Sequence, residues 1–230
     1  IRAVVERPEL WTVYVNGKAV EKIPGEHWID KDFPVFHVGP FLQAGTNTLT
    51  LKAPRMHILA EVMPVYLLGE FLVTPSDKGF EIAGGEINGA GSWLDAGLPF
   101  YSQEVSYTLN FNVGEVSGST YKVCLGDWKG SLAEVLVNGG KAGLIAWQPY
   151  ELDVTDWLKT GSNKITVNIC GSLKNTFGFF YEDNDSWIFG PFSWNKAPAG
   201  IPPASDYFLM DYGLFEPFEL IRTSNSDISD

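Results

Sequence analysis

The chain has 230 residues, room for one large β domain or two smaller ones. Apolar residues make up 45% and aromatic residues 14%, so a packed core is within reach. A formal net charge of -12 with no basic run excludes nucleic acid and anionic membrane surfaces as partners, while neutral glycans stay open. The longest apolar runs are strand-sized, so no transmembrane helix and no membrane insertion are expected. No signal peptide is visible, and the chain starts at Ile1 rather than Met, so it is expected to be excised from a longer protein.

Alternation of apolar and polar residues dominates from the start. Leu10 to Val15 predicts a strand, Asn16-Gly17 a two-residue turn, and Lys18-Ala19-Val20 the return. Asn-Gly suits a type I′ hairpin because both central positions need positive φ. Ser76 to Gly97 is glycine-rich and polar and predicts loops around one short strand. Glu134 to Val137 runs into Asn138-Gly139-Gly140, a second hairpin. Thr155 to Lys159 predicts one helical turn, with Thr155 or Asp153 at its N-terminus and Gly161 as its stop. Sustained helical spacing is absent, so the class is all-β, a sandwich or jelly roll.

The chain repeats itself. Val13-Tyr14-Val15-Asn16-Gly17, Trp28, Phe36-His37-Val38, Phe41-Leu42 and Gly45-Thr46-Asn47-Thr48-Leu49-Thr50-Leu51 form one copy. Val135-Leu136-Val137-Asn138-Gly139, Trp147, Tyr150 to Val154, Trp157-Leu158 and Gly161-Ser162-Asn163-Lys164-Ile165-Thr166-Val167 form the other. Matched punctuation in a fixed order marks an internal duplication. The second copy is preceded by Val105 to Val113 and Thr120 to Leu125; the first has only nine residues before it and is expected to be incomplete. The expected division is a partial copy over 1–75, a complete copy over 76–222 and a polar, disordered tail over 223–230.

The run Tyr121 to Asp127, Ala133 to Gly139, Gly143, Trp147 to Thr155, Leu158-Lys159 and Gly161 to Ile165 resembles the sugar-binding jelly-roll domain of family 2 glycoside hydrolases. It is similar to galactose-binding-like modules of bacterial, rhamnosidase-like enzymes. Gly97 to Tyr101, Gly190-Pro191 and Tyr212 to Pro217 look like the flanks of such a domain. The resemblance implies a non-catalytic accessory module of a secreted bacterial glycoside hydrolase, periplasmic or extracellular. It would stabilise or orient the catalytic domain and bind carbohydrate weakly. The alternative is a free-standing carbohydrate-binding or cell-surface adhesion protein. The partners implied are carbohydrate or a neighbouring catalytic domain.

Candidate chemistry is sparse. Glycoside hydrolysis needs two carboxyl groups facing one bond. Asp153 and Asp156 are explained by the helical turn they flank, so no catalytic residue is assigned. Glu182-Asp183-Asn184-Asp185 is oxygen-rich, but it lacks the spaced ligands of a calcium loop and reads as a solvated acidic loop. A structural calcium is the only cofactor considered. His27, His37 and His57 lack metal-binding spacing, so no metal site is assigned.

Aromatic residues remain. A sugar offers an apolar face to an exposed ring and a rim of hydroxyls to polar neighbours. The ligand-binding candidates are Asp127, Trp128, Trp147, Tyr181 and Trp187; Asp127 is equally explained by turn chemistry. Trp11 and Trp157 fall in apolar patterns and read as core, and the match between Trp28 and Trp147 favours a structural role for Trp147. Cys124 and Cys170 lie on the polar faces of their strands; free thiols and a cross-strand bridge both stay open.

Overall fold

The computed structural model describes residues 1–60, 64–178 and 200–224. The protein is nearly all β; among the described residues helix is confined to single turns, such as Lys174–Phe177. No helix among them is long and apolar enough to cross a membrane. The chain divides into two compact units, Ile1–Glu70 and Phe71–Asp230.

The first unit holds β1 (Arg2–Val4), β2 (Thr12–Val15), β3 (Lys18–Val20), β4 (Lys22–Trp28), β5 (Asp30–Phe36), β6 (Leu49–Lys52) and β7 (Tyr66–Leu68). They form one sheet in the order β4-β5-β1-β7 and another in the order β3-β2-β6. Val13 and Val15 point inward from β2 and join Ala3, Val5, Val20, Phe36 and Val38 in one buried cluster. The Asn16-Gly17 hairpin forms as expected, with φ of 50° and 78° and Val15 opposite Lys18. The expected strand start at Leu10 is corrected to Thr12. Pro8–Leu10 make a 3-10 turn instead, a place where the fixed φ of Pro8 fits. The long hairpin of β4 and β5 is legible nowhere in the sequence. Pro24, Gly25 and Pro34 interrupt its pattern, and the ladder accommodates them by shifting register around His27 on an edge strand.

The second unit opens with the hairpin of β8 (Leu72–Ser76) and β9 (Gly79–Ala83). Next come β10 (Gly91–Ser92), β11 (Glu104–Val113), β12 (Ser119–Cys124), β13 (Trp128–Lys129), β14 (Leu132–Val137) and β15 (Gly140–Ile145). Then follow β16 (Glu151–Asp153), β17 (Gly161–Cys170), β18 (Gly213–Leu214) and β19 (Glu219–Ser224). One sheet runs β11-β17-β14-β15 and a second β16-β12-β19; β10-β18-β13 forms a small third sheet. A single buried cluster draws Tyr107, Val135, Val137, Ile165, Val167 and Ile169 from the first sheet and Tyr121 and Val123 from the second. Two sheets sharing one core make a β-sandwich. β19 runs through Ser224, opposite Ser119, so pairing extends two residues into the segment expected to be a disordered tail.

The stretch expected to be loops around one short strand holds more than that. It holds two strands, β9, which pairs with the preceding β8, and β10, and Trp93 in it is the largest fully buried side chain among the described residues, 1% exposed. Its indole Nε1–H donates to the Tyr107 hydroxyl at 2.9 Å, and its ring meets those of Tyr101 and Tyr212.

The two copies share a hydrogen-bond circuit as well as a motif order. In the first, Asn16 Nδ2 donates to Asn47 Oδ1 (2.8 Å) and to Phe41 O, while Asn16 Oδ1 accepts the Thr48 N–H. Asn47 also accepts the Gln43 N–H and donates to Gln43 O and Gly45 O. In the second, Asn138 Nδ2 donates to Asn163 Oδ1 (2.9 Å) and to Trp157 O, and Asn138 Oδ1 accepts the Lys164 N–H. Asn163 accepts the Lys159 N–H and donates to Lys159 O and Gly161 O. Each pair locks a hairpin turn to the turn before the last strand of its copy. Asp153 holds the preceding turn, accepting the Thr155 N–H at 2.9 Å and its hydroxyl at 2.6 Å. These bonds hold the Asp153 carboxyl below the usual carboxylate range.

Cys124 and Cys170 are free thiols on strands of different sheets, and each lies on the partly exposed face of its strand. Burial pushes both thiols up, with Glu151 adding to the effect at Cys124 and Glu104 and Glu134 at Cys170. A raised thiol pKa means less thiolate at any given pH. Iodoacetamide at pH 8 is therefore expected to add two carbamidomethyl groups without reductant, each more slowly than on free cysteine. A mass showing no adducts after unfolding, or rates equal to free cysteine, would contradict this.

Candidate functional site

Three of the five residues singled out for ligand contact lie among the described residues; Tyr181 and Trp187, with the acidic loop 182–185, fall outside them. The structure puts Asp127 and Trp128 on one rim of the second unit's sandwich, with Trp147 tied to it through the chain at Tyr150. Gly126 has no side chain, and a Cβ there would fall on the Glu216 carboxylate. That absence lets Glu216 Oε1 accept the Asp127 N–H at 2.7 Å. The Asp127 carbonyl accepts the Phe215 N–H at 2.9 Å. β13 then pairs with β18, placing Trp128 opposite Leu214 and Lys129 opposite Gly213. The Lys129 ammonium lies 5.1 Å from the Phe215 ring centroid.

The segment 146–150 joins the same rim from the other side. The Leu125 N–H donates to Tyr150 O at 2.9 Å, and the Trp128 and Tyr150 rings meet edge to face at 5.3 Å. Trp128 is half-buried, and its indole Nε1–H is buried with no acceptor among the described residues. Trp147, three residues before Tyr150, is 79% exposed. Ala146, Gln148 and Pro149 beside it are exposed as well.

Several sequence expectations change here. Trp147 does not pack within the described residues. Its counterpart Trp28 packs against Phe33 and Tyr66, the Tyr66 ring lying 5.2 Å away, whereas Trp147 stands in solvent. Trp157 is not core either: it is 43% exposed and lies flat over Gly140, where a Cβ would come within 2.7 Å of the ring. Trp11 is partly buried against the first unit's core and borders a hollow of about 300 Å³ with Glu9, Glu21, Lys22 and Phe36. Tyr150 and Glu216 were missed as site-builders. The sequence shows both beside turn-forming prolines, Pro149 and Pro217, but not that the two segments meet at Asp127.

The rim therefore combines exposed and half-exposed rings with a carboxylate. Asp127 is exposed, and its side chain makes no bond among the described residues. Glu216 is exposed as well, and its Oε1 is engaged by the Asp127 N–H. A flat indole and a hydroxyl-binding carboxylate suit a sugar ring.

No family model matches the chain. A segment of 82 residues is 34% identical to a Formosa agariphila protein provisionally described as a beta-glucuronidase, covering 34% of this chain and 7% of that protein. Among solved structures, a rhamnosidase from Novosphingobium sp. PP1Y is 20% identical with a TM-score of 0.42, over 96% of this chain and 22% of that one. A beta-glucuronidase from Bifidobacterium dentium is 26% identical with a TM-score of 0.40, over 59% of this chain and 24% of that one. Neither superposition is close enough to transfer a site. The chain thus spans a small part of the length of each protein it matches.

Proposed function

We propose that this chain is a non-catalytic accessory module of a larger glycoside hydrolase, built from tandem galactose-binding-like jelly-roll copies with the first incomplete. The complete copy presents its rim to carbohydrate. The observation that carries this reading is the 79% exposure of Trp147, three residues before the Tyr150 ring that meets Trp128. The likeness of an 82-residue segment to a provisionally described beta-glucuronidase supports the enzyme context. The shared asparagine circuits support the tandem reading, and the compact units support a boundary close to residue 75. On the family resemblance, the parent enzyme works in the periplasm or outside the cell.

Affinity electrophoresis and a glycan array with the whole chain test this. Trp147→Ala is expected to abolish retention by the glycan that binds, while stability stays within about 0.5 kcal/mol, as for exposed positions. Retention unchanged in Trp147→Ala, or no retention of the parent chain by any glycan, would remove the sugar-binding part of the proposal.

A further inference from the structure

The duplication allows one copy to be read against the other, strand by strand. In the second unit β17 lies between two strands, β14 on one side and β11 on the other. Its counterpart β6 has β2 on one side, and no strand among the described residues on the other. The consequence shows in burial. Ile165 and Val167 of β17 are both 0% exposed, whereas the equivalent Leu49 and Leu51 of β6 are only half-buried. Asn163 is likewise 0% exposed, and the equivalent Asn47 is exposed. β2 and its counterpart β14 bury matching residues: Val13 and Val15 are 2% and 1% exposed, Val135 and Val137 0% and 2%. Among the described residues β6 is thus an unpaired edge where its counterpart is paired, alongside the other end strands β3, β4 and β7.

Backbone polarity at that edge follows from the ladder. The Asn16 N–H donates to Thr48 O, so Asn16 and Thr48 form a hydrogen-bonded pair. In an antiparallel ladder such pairs alternate, which directs Thr50 toward Tyr14 and leaves the N–H and C=O groups of Leu49 and Leu51 facing outward. An open edge of this kind is a template for strand addition.

We infer that β6 accepts an antiparallel polypeptide strand that does for the first copy what β11 does for the second. The chemistry of that strand can be read from β11. Tyr107 and Leu109 stand opposite Val167 and Ile165, so the occupant carries an aromatic or aliphatic residue opposite Leu51 and another opposite Leu49. Thr108 bonds Thr166 across the ladder at 2.8 Å, so a hydroxyl residue faces Thr50. Ser106 bonds Asn168 at 2.7 Å; the first copy has Lys52 at that position, exposed and in no ion pair among the described residues. A carboxylate on the occupant faces Lys52.

The test uses the whole chain and a labelled synthetic peptide with the sequence of Glu104–Val113 carrying Ser106→Asp. Saturable binding by fluorescence anisotropy is expected, weaker with the unsubstituted peptide and weakened by salt. N-methylation of the peptide at Tyr107 and Leu109 removes the donors that face β6 and is expected to abolish binding; N-methylation at Thr108 is expected to leave it. Hydrogen exchange should slow at the Leu49 and Leu51 amides on binding. Three outcomes overturn the inference: no binding, slowing at 165–169 through exchange with β11, or a concentration-dependent dimer that protects β6 without peptide.

Discussion

Replacing Trp93 with alanine is expected to cost the second unit about 3–5 kcal/mol, a fall in melting temperature on the order of 10 °C. The side chain is 1% exposed and closes one end of the sandwich. Neighbouring backbone is fitted around it: a Cβ at Gly171 would come within 2.8 Å of the ring, and one at Gly213 within 3.1 Å. The polar handle is satisfied too, since the Tyr107 hydroxyl accepts both the Trp93 Nε1–H at 2.9 Å and the Leu214 N–H at 3.3 Å. Tyr107→Phe keeps most of the volume and strands both donors, at a cost of about 1–3 kcal/mol. Thermal or urea unfolding of both variants checks this. A Trp93→Ala variant within about 1 kcal/mol of the parent would mean that the end of the core collapses around the gap.

The second large effect comes from the asparagine circuits. Asn163 is 0% exposed and makes four hydrogen bonds, to Lys159 N, Lys159 O, Gly161 O and Asn138 Nδ2. Asn163→Ala deletes four bonds made by a side chain shielded from water, although Lys159 and Asn138 are themselves exposed, and the net loss is about 3 kcal/mol. Asn47 has the same partners in the first copy, but it is exposed, so water replaces its bonds. Asn47→Ala is expected to cost under about 1 kcal/mol. Urea unfolding of the two variants separates burial from bond count. Equal losses would show that solvent access does not set the energy of this circuit.

Those circuits also explain what could be read ahead of the structure. Asn-Gly turns, Gly-Xaa-Asn turns and alternating strands are local signals, and the hairpins at Asn16 and Asn138 fold as their residues require. What failed was set by tertiary context. Trp93 sits among glycines and polar residues, with no alternation to mark it; its burial comes from Tyr107, Tyr101 and Tyr212, distant elements or a following turn. Trp157 sits in an apolar pattern, yet it covers a glycine from outside. β4 and β5 pair despite Pro24, on the edge strand β4, and Pro34, which lies on β5 beyond its rungs with β1 at Val35 and Phe36. At the candidate site, Trp128 and Asp127 were visible as a polar-flanked aromatic loop. The Glu216 anchor was not, since 89 residues separate it from Asp127.

The pairing of β11 with β17 has a consequence for how the second unit assembles. Its rungs join residues far apart in sequence, from Val113 with Gly161 to Glu104 with Cys170. The β14 and β15 hairpin and its partner β17 are nearer neighbours, with Val137 opposite Ile165. Chain-closure entropy rises with the length of the intervening segment, and folding slows as mean contact separation grows. β11 is therefore expected to join β17 after the β14 and β15 hairpin has formed, and β19, whose rungs with β12 run from Ser119 with Ser224 to Cys124 with Glu219, later still. Until those distant rungs close and the second sheet covers the first, Ile165, Val167 and Ile169 are expected to stand exposed, a stage prone to aggregation that the finished fold conceals.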